Sequence, residues 1–248
     1  MKAYAVTDVG RVRRQNEDAI FTSTDPVGLL PNLFVVADGM GGHNAGDRAS
    51  KIAVDSIISS VEETNKLDPE DILRDALVRA NKAIISEAAQ EPSLAGMGTT
   101  AVMATVIGSV LYVANIGDSR LYVIKNRPVQ VTRDHSWVEE MVREGKLNRG
   151  DPTYMEKKNI ITKALGIAGE IAPDLFTVDL DVGNLILLCS DGLTGMVNDD
   201  TLFEIVRHEY EPQEIAAALV RTAKNNGGRD NISVVVVDPE LSEVDVWC

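Results

Sequence analysis

The chain has 248 residues, 44% hydrophobic and 25% charged, with 24 Lys and Arg against 38 Asp and Glu for a net charge of −14. Such a field repels phosphate backbones and anionic membranes, so nucleic-acid and membrane partners are disfavoured and cations or basic peptide segments favoured. No apolar run approaches membrane-spanning length, and no signal region follows Met1. Cys189 and Cys248 make neither a disulfide framework nor a zinc spacing, and the expectation is a cytoplasmic protein.

Aromatic residues are only 4%, so the core must be built from Val, Ile, Leu and Ala. Ala3 to Thr7 alternates as a short strand, Ala19 to Thr22 reads as a second and Leu33 to Ala37 as a third. Between the first two lies a mixed-charge loop, Asp8 to Asp18. It is either a solvated, salt-bridged turn or the place where an arginine fork meets an oxyanion. The third run ends in Asp38-Gly39-Met40-Gly41-Gly42-His43, where glycines permit a tight turn and close approach to a ligand. Asp-Gly after a strand is also a common hairpin turn.

Two amphipathic helices follow. One carries Ala49, Ile52, Ala53, Ile57 and Val61 on a face. The other starts at the N-cap candidate Asp68 with Pro69 at its first position and carries Leu73, Ala76, Leu77, Ala80 and Ile84. Runs from Ala101 to Ile107, Val110 to Ile116, Leu121 to Lys125 and Val129 to Thr132 succeed one another through short turns, which predicts antiparallel hairpins. Ser136 to Glu144 is a short helix. Gly145 to Lys158 reads as polar and irregular, either a surface connection or a flap beside a site. Strands at Leu175 to Leu180 and Asn184 to Ser190 precede two helices, the first capped by Asn198. Ile232 to Val237 is the last strand.

Asp38, Asp118 and Asp191 each end an apolar run, and Asp230 precedes one. Converging carboxylates repel unless protonated or neutralised, and oxygen donors with only three histidines in the chain point to Mg²⁺ or Mn²⁺ over zinc. A carboxylate-held metal pair would activate a water for hydrolysis and hold the oxygens of an in-line displacement.

The segments Asn16-Glu17-Asp18, Val36 to His43, Gly98-Thr99-Thr100, Asn115 to Arg120, Cys189 to Leu193 and Gly228 to Ser233 together resemble the metal-dependent protein Ser/Thr phosphatases, the PPM or type 2C class, in its compact bacterial form. The resemblance covers nearly the whole chain. It implies an α+β fold, an αββα sandwich of two antiparallel sheets flanked by helix pairs, as one domain over 1–248 with a flap about 145–170. It implies two Mn²⁺ or Mg²⁺ ions: Asp38 matches the bridging carboxylate, Gly39 a carbonyl ligand, and Asp191 and Asp230 further ligands. Asp118 matches a ligand of a weaker third ion. Arg13 matches the phosphate-binding arginine, with Arg14 its neighbour. Glu17 and Asp18 match acidic positions that hold metal-bound water. Relatives with a proposed general-acid histidine place it two residues after the bridging Asp, and here that position is Met40; His43 is five residues after.

The function so implied is hydrolysis of phosphoserine and phosphothreonine in phosphorylated proteins by a metal-bridging hydroxide, opposing a Ser/Thr kinase, in a monomer. The alternatives are a catalytically silent regulator, disfavoured because no metal carboxylate is lost, and a phosphatase of a small phosphorylated metabolite.

Overall fold

The computed structural model describes residues 1–41, 45–209 and 211–242. Gly42, His43 and Cys248 lie outside the described residues. In chain order the strands are β1 (Lys2–Asp8), β2 (Asp18–Ser23), β3 (Leu33–Met40), β4 (Gly98–Thr99), β5 (Ala101–Ile107), β6 (Val110–Ile116), β7 (Arg120–Ile124), β8 (Pro128–Gln130), β9 (Asp174–Asp179), β10 (Leu185–Cys189) and β11 (Ile232–Asp238). The helices are α1 (Ala45–Glu63), α2 (Pro69–Gln90), α3 (Trp137–Arg143), α4 (Pro152–Lys157), α5 (Asp191–Thr194), α6 (Asp199–His208) and α7 (Pro212–Asn225).

Two antiparallel sheets form the centre. One has the order β1-β11-β10-β7-β8, the other β2-β3-β5-β6-β9 with β4 added beside β3. Their strands are apolar on both faces because both faces are covered. In β3, Phe34 and Val36 point to the other sheet and meet the layer of Leu121, Ile186, Leu188, Val235 and Val237. Leu33, Val35 and Ala37 point the other way, into the layer of Ala49, Ile57, Leu73 and Leu77 from α1 and α2. The second sheet is covered likewise, with Leu187, Val234 and Val236 packed on Leu202, Ile215 and Leu219 of α6 and α7. The period of two along each strand therefore feeds two different cores. Each fully buried aliphatic side chain contributes about 1.5–3 kcal/mol. The αββα sandwich is observed.

Local capping chemistry set several boundaries. Asp68 accepts a hydrogen bond from the backbone N–H of Asp71 with Pro69 at the start of α2, and Asn198 accepts from Thr201 N–H at the start of α6. Three expectations change. β3 runs on through Met40, so Asp38 and Gly39 belong to a strand and not to a turn. The irregular stretch from Gly145 to Lys158 contains α4, which Pro152 starts in the position where a missing N–H costs nothing. β6 and β7 are not a hairpin but belong to opposite sheets, so Gly117-Asp118-Ser119 is the crossing between them. The region from 145 to 170 is fastened to the body by isolated bridges from Ile161 to Ser136 and from Leu165 to Thr99.

Candidate metal centre

The two sheets open at one end on a cavity of about 290 Å³ lined by Arg13, Glu17, Asp38, Gly39, Met40, Gly41, Asp118, Asn159, Ile161, Asp191 and Asp230. Each predicted site residue lines it except Asp18, which lies directly behind. Asp18 and Asp38 are register partners across β2 and β3. Like charges directly opposite on neighbouring strands are unfavourable, so this pairing is not there for the sheet's sake.

Backbone contacts hold Asp38. Its N–H donates to Thr100 Oγ1 at 3.0 Å, while its carbonyl accepts from Thr99 Oγ1 at 2.8 Å and from Thr100 N–H at 2.9 Å. Thr100 Oγ1 also lies 2.7 Å from Ser119 Oγ, which joins the Asp38 strand to the Asp118 crossing. Gly39 is required by space. A Cβ there would lie 2.2 Å from the Gly46 carbonyl oxygen and 2.3 Å from that of Glu17. Gly192, after Asp191, is closed in the same way by the Asn231 carbonyl oxygen at 1.9 Å.

Asn231 staples the N-terminal loop to the end of the other sheet. Its Oδ1 accepts from Glu17 N–H at 2.9 Å, and its Nδ2 donates to the carbonyls of Val9 and Gln15 at 3.0 and 2.9 Å. Arg13 Nη2 lies 2.8 Å from Asp230 Oδ2 at the cavity rim. Asp18 Oδ2 accepts from Ser190 Oγ at 2.9 Å and Ser233 Oγ at 2.7 Å, whereas its buried Oδ1 has no partner among the described residues.

The electrostatics follow from this crowding. Burial pushes Asp18 up to about 6, helped by Asp191 and Asp230, and pushes Asp118 up to about 7, helped by Asp191 and Asp134. Burial, then Asp18 and Asp191, hold Asp38 well above the ordinary carboxylate range, and burial with Asp230 raises Asp191. Burial also raises Glu17. Such a set is comfortable in ionised form only with positive charge among it. Among the described residues no three Asp, Glu, His or Cys side chains are gathered into a ready-made cage for one ion; the carboxylates ring the cavity instead. An all-oxygen donor set, an orphaned buried carboxylate oxygen and a backbone closed to any Cβ fit hard divalent cations.

A larger cavity, about 860 Å³, lies under α3 and α4. It too is lined by carboxylates, but its main charges are paired: Arg120 on Asp134 at 2.7 Å, Arg149 on Glu139 at 2.8 Å and Lys163 on Asp174 at 3.5 Å. The residues expected from the sequence to form the site converge on the smaller cavity.

Sequence reasoning passed over four residues that build the centre: Ser190 and Ser233 behind Asp18, Asn231, and His135. The first three stand beside predicted aspartates and could have been found as polar residues interrupting buried runs. His135, buried after β8, packs against the backbone of Gly117. Burial and then Lys163 lower its pKa.

The Protein phosphatase 2C family model matches residues 2–142, and the Stage II sporulation protein E (SpoIIE) model matches residues 147–240. The chain belongs to the protein phosphatase 2C family and is an enzyme of that class, a protein serine/threonine phosphatase. It is 39% identical to the serine/threonine phosphatase stp of Listeria monocytogenes over 250 residues, covering 98% of each chain. A crystal structure of a bacterial serine phosphatase superposes with a TM-score of 0.89 at 34% identity, covering 98% of this chain and 99% of that one. The catalytic domain of the phosphatase PstP, crystallised with two manganese ions, superposes with a TM-score of 0.83 at 34% identity over 95% of this chain and 96% of that one.

Proposed function

We propose that this chain hydrolyses phosphoserine and phosphothreonine in proteins with two divalent ions, Mn²⁺ or Mg²⁺, held in the smaller cavity. Asp38, the Gly39 carbonyl, Asp191 and Asp230 would hold the pair, and Asp118 would serve a third ion. Bound there, the ions supply Lewis acidity, activating water near neutral pH and neutralising phosphoryl charge. The observation that carries this reading is the ring of Asp38, Asp118, Asp191 and Asp230 around one cavity, with Arg13 on its rim.

The remaining work falls to the chain's own groups. Arg13 spends one N–H on Asp230 and presents the rest of its fork to a phosphate dianion, a bidentate fit. Asp18, fixed by the hydroxyls of Ser190 and Ser233, keeps one carboxylate oxygen for a water behind Asp38, and Glu17 does the same from the rim. Asn159 and Ile161 bring the flap to the cavity edge, where a polypeptide substrate would meet it. A Ser/Thr kinase would supply the phosphorylated proteins.

The test is dephosphorylation of a phosphothreonine peptide with and without Mn²⁺, wild type beside Asp191→Asn. Activity is expected to require the ion and to fall at least 100-fold in the variant. Full turnover in excess chelator would sink the proposal.

A further inference from the structure

His135 touches the Asp118 crossing with one side of its ring and the flap's return path with the other. Its Nδ1 accepts the Gly117 N–H at 3.0 Å, and its own backbone N–H donates to the Gly117 carbonyl at 2.9 Å. Both polar groups flanking that glycine are therefore held by one residue. Gly117 needs the grip. Its φ is +108°, and a Cβ would lie 2.5 Å from the Thr100 side chain, so no other residue substitutes there.

A ring nitrogen that accepts from a backbone N–H is unprotonated, which puts the proton on Nε2. Nε2 faces Asp174 Oδ2 at 3.2 Å, with Lys163 Nζ 3.4 Å away, and Lys163 in turn lies 3.5 Å from Asp174 Oδ1. Lys163 belongs to the flap region, and the adjoining Thr162 N–H donates to the His135 carbonyl at 2.8 Å. The ring thus connects three pieces of chain: the sheet-to-sheet crossing, the flap's return segment and the start of β9.

We infer that His135 is a positioning residue: through Nδ1 it fixes the Gly117 peptide and so the aim of Asp118 into the cavity, and through Nε2–H it locks the flap's return segment against Asp174. The inference rests on the proposed role of Asp118 as an ion ligand. It predicts that the two nitrogens can be separated by substitution, because Asn places an acceptor near the site of Nδ1 and Gln places a donor near the site of Nε2.

The experiment measures Mn²⁺ binding by calorimetry, proteolytic nicking between residues 145 and 160, and steady-state kinetics on a phosphothreonine peptide and on a small aryl phosphate. His135→Gln is expected to weaken the weakest Mn²⁺-binding event at least 10-fold while nicking stays within 2-fold of wild type. His135→Asn should leave Mn²⁺ binding within 2-fold, accelerate nicking about 10-fold and raise KM for the peptide more than for the small ester. Asp174→Ala, which leaves the buried ring untouched, should reproduce the second pattern. Asp118→Asn separates the two possible failures. An isotherm that Asp118→Asn does not move overturns the ion-ligand reading; one that it moves but His135→Gln does not overturns the positioning role. Identical behaviour of the Gln and Asn variants, or nicking that Asp174→Ala leaves unchanged, also overturns it.

Discussion

Gly39→Ala adds one methyl group to the chain and is expected to disable it. The new Cβ would lie 2.2 Å from the Gly46 carbonyl oxygen and 2.3 Å from the Glu17 carbonyl oxygen, both backbone atoms. Neither can swing aside as a side-chain tip would. Gly39 N–H also donates to Glu17 O at 3.1 Å, and Ser50 Oγ donates to the same carbonyl at 2.6 Å. Relief of the clash therefore means parting β3 from the Glu17 backbone or shifting the first turn of α1. Overpacking of this kind costs about 1–3 kcal/mol, and two rigid neighbours place this case at the upper end. At roughly 2–4 °C per kcal/mol for a chain of this size, Tm should drop by roughly 6–12 °C. Because Asp38 is the preceding residue, Mn²⁺-dependent phosphatase activity should fall further than stability alone explains. Thermal unfolding and peptide turnover would be measured beside Gly150→Ala, whose added Cβ meets nothing within 4 Å and which should match wild type. A Gly39→Ala protein with wild-type Tm and turnover would refute the close-approach argument.

Asp18 and Asp118, at about 6 and about 7, lie above the ordinary Asp value of 3.8. Between about pH 4 and 7 the folded chain therefore binds more protons than the unfolded one, and its stability falls as pH rises through that window. In chelator, Tm should be lower at pH 8 than at pH 5.5, and Mn²⁺ at pH 8 should restore it; a Tm independent of both would count against the crowded-carboxylate account. Cys189 is fully buried and its thiol is pushed up to about 12 by burial, so iodoacetamide should leave its tryptic peptide unlabelled in the native protein and label it after denaturation.

How much of this was legible beforehand depends on the range of the signal. Asp68 and Asn198 announce helix starts because a cap is a three-residue interaction. The apolar runs around Leu33, Val102 and Leu185 announce strands because their burial is continuous. Asp38 and Asp191 were conspicuous as charges at the edge of such runs. The reason for Gly39 was not legible: a tight turn was expected, whereas the cause is contact with carbonyls on two other segments. Nor could the sequence distinguish a β6–β7 hairpin from a crossing between sheets, since both need a short polar link. His135 carried no local signal because its partners, Gly117, Lys163 and Asp174, come from three separate places in the chain. α4 was hidden by a polar composition that masks a short helix started by Pro152.

The staple at Asn231 has a consequence for how the molecule is made. It binds residues 214 or more positions earlier, and among the described residues β1 finds its strand neighbour only in β11. During synthesis the first strand leaves the ribosome with one edge waiting for nearly the whole chain to follow. Asp230 and the Asn231 clamp on the Glu17 loop arrive at the same late moment. A chain that ends before Asp230 lacks one side of the candidate site, and the wait leaves an unpaired β1 edge open to misassembly.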